Sequence, residues 1–157
     1  VGSEMCIRDS LHNLPAVLGV VMRSKVLYET DNRFVLKDTD RLKEYLFSLY
    51  ADTIAERAYI LFLNKGFRLI KYELICEGSI DEVYLDIKMA VRRALMNHAA
   101  YVVLTHNHPS GLVFPSDSDI ISTRELSEAL NTVKIGFWDH VIVGGNQYYS
   151  FRESRNY

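Results

Sequence analysis

A short apolar run, Ala100 to Thr105, leads directly into His106-Asn-His108-Pro109-Ser-Gly111, and this junction constrains the fold more than any other segment. A run of that length and composition is a short buried strand. Residues two apart in a strand point to the same side, so His106 and His108 can present two imidazoles toward one point. Pro109 and Gly111 turn the chain, and Pro115 reverses it again. Ser116, Asp117 or Ser118 is then expected to cap a helix. Asp119 falls in that helix's first turn, where it can point back at the imidazole pair. Two neutral imidazoles and one carboxylate make a three-ligand set for Zn²⁺ with a fourth position left for water, as a catalytic zinc requires. His106, His108 and Asp119 are the candidate metal ligands.

The elements around this junction follow from periodicity. Leu42, Tyr45, Leu46 and Leu49 share one face of a helix that Asp38, Thr39 or Asp40 would cap. Arg57 to Leu63 is apolar on both faces, which predicts a central strand covered on two sides. Asn64-Lys65-Gly66 supplies a turn, and Phe67 to Cys76 alternates, with Ile70, Tyr72, Leu74 and Cys76 on one face and Lys71 and Glu73 on the other. A helix from about Asp81 to Asn97 would turn Val83, Ile87, Ala90, Val91, Ala94 and Leu95 inward. The helix after Pro115 runs to about Val133, with Leu126, Ala129, Leu130 and Val133 inward. His140 to Val143 and Gln147 to Phe151 are strands joined by Gly144-Gly145-Asn146. Hairpins interleaved with two long amphipathic helices predict an α/β (α+β) architecture, a mixed sheet sandwiched by helices.

With 157 residues the chain fits one domain. Val1 to Ser10 (VGSEMCIRDS) reads as translated adapter sequence, a non-native leader. Residues 11–36 read as a truncated N-terminal extension, and residues 37–157 as the domain proper. No apolar run reaches the roughly 18 to 20 residues of a membrane-spanning helix. Lys and Arg total 18 against 20 for Asp and Glu, a net charge of −2, so charge does not advertise a phosphate backbone as partner. Cys6 and Cys76 form no CxxC pair, which argues against a thiolate zinc site or a disulfide framework and suits a reducing cytoplasm.

The segment from His106 to Asp119 resembles the JAMM signature of JAB/MPN proteins, in which a Glu lies upstream of HxH and an Asp follows after ten intervening residues. More narrowly the chain resembles the RadC family, through Glu77-Gly-Ser79, HNHPSG, PSxxD followed by Thr123, and Asp139-His-Val-Ile-Val-Gly144 ending in Tyr149-Ser150-Phe151. The resemblance covers roughly Asp40 to Glu153. It implies a layer plan close to that of cytidine deaminases, and zinc on His106, His108 and Asp119 rather than on the neighbouring Asp117. It places Glu56, directly before RAYILFL, as general base, with Glu73 and Glu77 in reserve, and gives the Ser116 hydroxyl the task of steadying the oxyanion. Asn107 and Ser110 are expected to shape the loop. RadC proteins usually carry a helix-hairpin-helix before this domain, a pattern not visible here.

The implied activity is a zinc-dependent peptidase or isopeptidase, in which water activated at zinc attacks an amide carbonyl. The alternative is a DNA-repair-associated module with an accessory or non-proteolytic zinc site, whose nucleic-acid contacts would reside in a segment preceding the domain. Other zinc chemistries lack their residues: there is no HExxH, and neither the HxE nor the PCxxC of nucleobase deaminases. A pseudoenzyme would lack ligands that this chain retains. Only 42 residues separate Leu63 from His106, which leaves no room for insertions that grip a ubiquitin-sized substrate. Among the other histidines, His12 lies in the N-terminal stretch and His98 near a helix C-terminus, while Asp139-His140 reads as a satisfied structural pair rather than as support for the ligands.

Overall fold

In the computed structural model, residues 35–78 and 85–155 are described. The expectations for Val1 to Ser10, His12, Cys6 and the inward placing of Val83 lie outside them. Among the described residues, one five-stranded sheet runs in the order β2-β1-β3-β4-β5. Its strands are β1 (Arg57–Leu63), β2 (Leu69–Glu77), β3 (Tyr101–Asn107), β4 (Gly136–Gly144) and β5 (Gln147–Ser150), and its helices are α1 (Thr39–Tyr50), α2 (Ile87–Met96), α3 (Asp117–Thr132) and the short α4 (Phe151–Ser154). The sheet is mixed: β3 and β4 are parallel, joined across α3, and every other neighbouring pair is antiparallel.

Helices cover both faces, as the patterning requires. On one face Leu42, Tyr45, Leu46 and Leu49 of α1 pack on Leu61, Leu63, Val103 and Val141. On the other, Ala90 and Ala94 of α2 and Leu126 and Leu130 of α3 pack on Ile60, Phe62, Val102 and Leu104. The central strands β1 and β3 therefore bury both sets of alternating side chains, which is why their sequences are apolar throughout. Asp38 caps α1, its carboxylate accepting the N–H of Asp40 at 2.9 Å and of Arg41 at 3.4 Å.

Several boundaries move. Leu36, assigned above to the N-terminal extension, is fully buried, and its N–H bonds the Phe67 carbonyl at 2.8 Å, so the domain includes it. Helix α2 begins at Ile87, capped by Asp86, rather than near Asp81, and Leu95 at its far end is exposed rather than inward. The alternation in β2 is broken by register shifts against β1, with Ile70 and Ile75 as the extra residues. Each shift reverses which residues face which helix layer. Tyr72 reaches the α1 layer and Ile75 the α2–α3 layer, while Ile70 and Leu74 stay exposed. Strand β4 starts at Gly136, four residues before the expected His140, because Phe137 packs in the α2–α3 core and Trp138 in the α1 core.

Candidate metal centre

The strand β3 runs one turn of the pleat further than its apolar letters suggest, through His106 and Asn107. His106 pairs with Ala58 of β1 and Ile142 of β4, at the carboxyl end of the central strand, and is buried against the α2–α3 layer. His108 follows just past the strand, its N–H held by the Val143 carbonyl at 2.8 Å. The Pro109–Leu112 loop then folds against β4 so closely that a Cβ on Gly144 would stand 2.7 Å from the Gly111 carbonyl oxygen. Gly111 itself sits at φ +81°, a left-handed conformation that glycine adopts freely. This turn brings the Leu112 carbonyl to 2.7 Å from His108 Nδ1.

A carbonyl oxygen only accepts, so His108 Nδ1 carries the proton and its Nε2 presents a lone pair. That lone pair faces His106 Nε2 at 3.0 Å. Asp119 Oδ1 lies 3.4 Å from His106 Nε2, and Glu56 Oε1 lies 4.0 Å from His108 Nε2. Ligands in a tetrahedron of roughly 2.0–2.1 Å metal bonds are about 3.3 Å apart, a spacing close to that of His106 from His108 and of His106 from Asp119. The triads whose atoms all lie close enough to share one ion are Glu56 with His106 and His108, and His106 with Asp119 and His140. Burial pushes the His106 imidazole down to about 4, with the neighbouring His108 adding to the effect and Asp119 opposing it. Near neutral pH His106 therefore carries one ring proton, and with that proton on Nδ1 its Nε2 offers a lone pair that a cation can share with His108.

Ser116 caps α3, as one of the three expected capping residues, in a reciprocal capping box with Asp119. Its Oγ accepts the Asp119 N–H at 3.1 Å and donates to Asp119 Oδ2 at 2.7 Å, while its own N–H donates to Oδ2 at 2.8 Å. With Oδ2 held twice, Oδ1 is turned toward His106. Asp117 stays exposed in the same turn. Of the two reserve carboxylates, neither joins the cluster: Glu73 pairs with Lys71 and Arg93, and Glu77 with Arg57. Glu56 does join it, 19% exposed at the mouth of the site. Its backbone is held by the Asn107 carboxamide, which accepts from Arg57 N at 2.8 Å and donates to the Ala55 carbonyl at 3.1 Å, and by Gly78 N, which donates to the Glu56 carbonyl at 2.9 Å.

The Asp139 carboxylate and the His140 imidazole do not pair with each other, contrary to the reading from their adjacency. Neighbours in a strand face opposite sides. Asp139 accepts from Ser150 Oγ at 2.6 Å and Arg152 N at 3.1 Å. His140 instead approaches the metal centre from behind: its Nε2 is 2.9 Å from His106 Nδ1 and its Nδ1 is 2.7 Å from Thr123 Oγ1. His140 is fully buried, and desolvation together with the two other imidazoles pushes its proton affinity well down, keeping it neutral. Although His106, Asp119 and His140 also lie close enough to hold an ion together, His140 meets the opposite nitrogen of His106 from the one that faces His108. Thr123 was legible as a partner in one respect: it stands four residues after Asp119 on α3, one turn along the same helix face.

The donor set lies between two recesses. One, of about 40 Å³, is lined by Ala58, Ile75, Leu85 and Leu104 beside His106 and Asp119. The other, of about 580 Å³, is more polar and lies on the side of Asn107 and His108, toward Tyr50 and Asn146.

Residues 36–156 match the family described as RadC-like JAB domain. The chain is 40% identical over 141 residues to a UPF0758 protein of Vibrio campbellii and 42% identical over 141 residues to one of Vibrio atlanticus, covering 89% of this chain and 62% of each relative. A UPF0758 protein of Aliivibrio fischeri is 34% identical over 135 residues, covering 85% of this chain and 60% of the relative. The chain thus spans under two thirds of the length of these relatives. The match runs from the buried Leu36 through both helix layers and past every strand that carries a site residue, and on that extent the chain belongs to the RadC family, as its JAB domain.

Proposed function

We propose that this domain is a zinc-dependent hydrolase that cleaves an amide bond, in a peptide or isopeptide, at the cluster of His106, His108, Asp119 and Glu56. The observation that carries the reading is the pair of imidazole Nε2 atoms 3.0 Å apart, with Asp119 Oδ1 at 3.4 Å from one and Glu56 Oε1 at 4.0 Å from the other. Zinc held by His106, His108 and Asp119 supplies a Lewis acid that acidifies water and polarises a carbonyl.

Glu56 lies close enough to His106 and His108 to share an ion with them; with Asp119 as the third ligand instead, its carboxylate is left beside the metal to act as general base. Its carboxylate takes a proton from the attacking water as the new C–O bond forms. The same proton passes to the leaving nitrogen as the C–N bond breaks. Ser116 holds Asp119 through two groups, so its hydroxyl can turn toward the developing oxyanion while the Ser116 N–H keeps Oδ2 in place. The two recesses on either side of the donors give an extended substrate a path across them, with the apolar recess suited to a small hydrophobic side chain. Among the described residues no helix is long and apolar enough to cross a membrane.

The test is metal analysis of purified protein together with a screen of peptide and isopeptide substrates. About one zinc per chain, lost in the His106→Ala/His108→Ala double variant, is the expected result. Glu56→Gln should keep zinc and fold and lose turnover, since an amide takes no proton. Stoichiometric zinc in the double variant, or near-normal turnover in Glu56→Gln, would overturn the assignment.

A further inference from the structure

We propose that His140 and Thr123 are positioning residues for the metal: a chain of hydrogen bonds through them holds on Nδ1 the proton that His106 must carry there when its Nε2 takes a metal ion. The inference rests on the metal reading given above. The hydrogen-bond chain that carries it is observed independently of any ion.

The chain has three links behind His106. His106 Nδ1 is 2.9 Å from His140 Nε2, His140 Nδ1 is 2.7 Å from Thr123 Oγ1, and Thr123 Oγ1 is 2.6 Å from the Asp119 carbonyl oxygen. Thr123 and His140 are each 1% exposed and His106 is 2%, and the Phe151 ring stacks on His140 at 4.8 Å. With each ring neutral and one proton per link, the chain has two self-consistent directions. In the first, His106 Nδ1–H donates to His140, His140 Nδ1–H donates to Thr123, and the Thr123 hydroxyl donates to the Asp119 carbonyl. His106 Nε2 is then bare. In the second, Thr123 donates to His140, His140 Nε2–H donates to His106, and His106 Nε2–H points at His108 Nε2.

Only the first direction is compatible with a metal on His106 Nε2. It requires a terminal group that both accepts from His140 Nδ1–H and disposes of its own proton, and a hydroxyl does both. Its outlet is the carbonyl of Asp119, the residue that contributes the carboxylate ligand. Thr123 thus ties the tautomer of one ligand to the helix turn that carries another. A hydrogen bond to the second ring nitrogen also orients a ligating imidazole and raises its basicity, and loss of such a partner typically weakens metal binding by about 10- to 100-fold.

Removing the hydroxyl discriminates this role from mere packing. In Thr123→Val the metal-free protein can adopt the second direction, leaving a buried acceptor without a partner. The metal-loaded protein must keep a buried His140 N–H with none, and orphaned donors are the less tolerated of the two.

The experiment measures zinc affinity by chelator competition, melting temperature of the metal-free protein, and imidazole ¹⁵N shifts of the zinc-loaded protein. The expected result is a zinc Kd raised by about 10- to 100-fold in Thr123→Val, with metal-free melting close to wild type and recovery of affinity in Thr123→Ser. Zinc-loaded wild type should show His140 protonated on Nδ1, a reading that needs no variant. Should the valine variant not fold, Thr123→Ala is measured in the same way. A valine variant that binds zinc within about twofold of wild type, or His140 protonated on Nε2 in loaded wild type, overturns the inference. Wild type that binds no zinc would instead sink the metal reading itself, so the two failures are distinct.

Discussion

Asn107 holds the backbone on both sides of Glu56. Its Oδ1 accepts the N–H of Arg57 at 2.8 Å and its Nδ2 donates to the carbonyl of Ala55 at 3.1 Å. The residue between the two histidines of the HxH thus fixes the backbone of the proposed base on the neighbouring strand. Asn107→Ala is expected to lower kcat by roughly 10- to 100-fold, the cost of misplacing a reacting group by about an ångström. It should also remove about 1–3 kcal/mol of stability through lost hydrogen bonds. Zinc stoichiometry should not change. Steady-state kinetics beside elemental analysis and thermal melting check this, and parallel loss of zinc would show that Asn107 acts on the ligands instead.

Ser116→Ala separates the two tasks given to that hydroxyl. Asp119 Oδ2 keeps the backbone N–H of residue 116 but loses the hydroxyl at 2.7 Å. Loss of the cap should cost about 1 kcal/mol. If the hydroxyl also steadies the oxyanion, kcat at saturating zinc falls by about 10²- to 10³-fold. A change confined to zinc affinity would limit Ser116 to holding Asp119.

Asp139 gives the fold a pH dependence of unusual sign. Burial raises its pKa from 3.8 to about 6, against the bonds from Ser150 and the Arg152 and His140 backbone and against the Arg152 charge. The folded state therefore keeps a proton that the unfolded state releases. Its contribution is full below about pH 4 and is lost as pH rises toward about 6, an effect on the order of 3 kcal/mol at most. Urea denaturation of wild type and Asp139→Asn across this range should show the stability difference shifting against wild type as pH rises. A difference that stays flat would show that Asp139 remains ionised in the fold.

DNA binding by this chain alone is expected to be weak at physiological salt. Non-specific affinity comes from Lys and Arg releasing counterions, and the net charge here is −2. In the one adjacent basic pair, Arg92-Arg93, Arg93 is engaged by Glu73 at 3.0 Å. The metal centre adds Glu56, Asp117 and Asp119. Fluorescence anisotropy with single- and double-stranded oligonucleotides tests this. Submicromolar binding that weakens steeply with salt would favour a role on DNA over peptide hydrolysis.

Much of this molecule was open to reading from local pattern. Uninterrupted apolar letters mark β1 and β3 as central strands because both their faces are covered, and the spacing of Leu42, Tyr45, Leu46 and Leu49 marks the buried face of α1. The HxH spacing at a strand end, with Asp119 in the first turn of a capped helix, puts both His108 and Asp119 near His106 because strand and helix geometry are local. Other features depended on partners distant in sequence. The register shifts at Ile70 and Ile75 arise from pairing with β1, so the regular alternation of β2 misassigned its faces. Asp139 and His140 are neighbours in the chain, yet their partners lie 11 residues ahead, in Ser150, and 34 residues behind, in His106. Periodicity tells which way a side chain points, whereas the group it meets is set by how strands and helices pack. That is why the candidate ligands could be picked out in the sequence, while the tertiary structure alone placed Thr123, His140 and Asn107 around them.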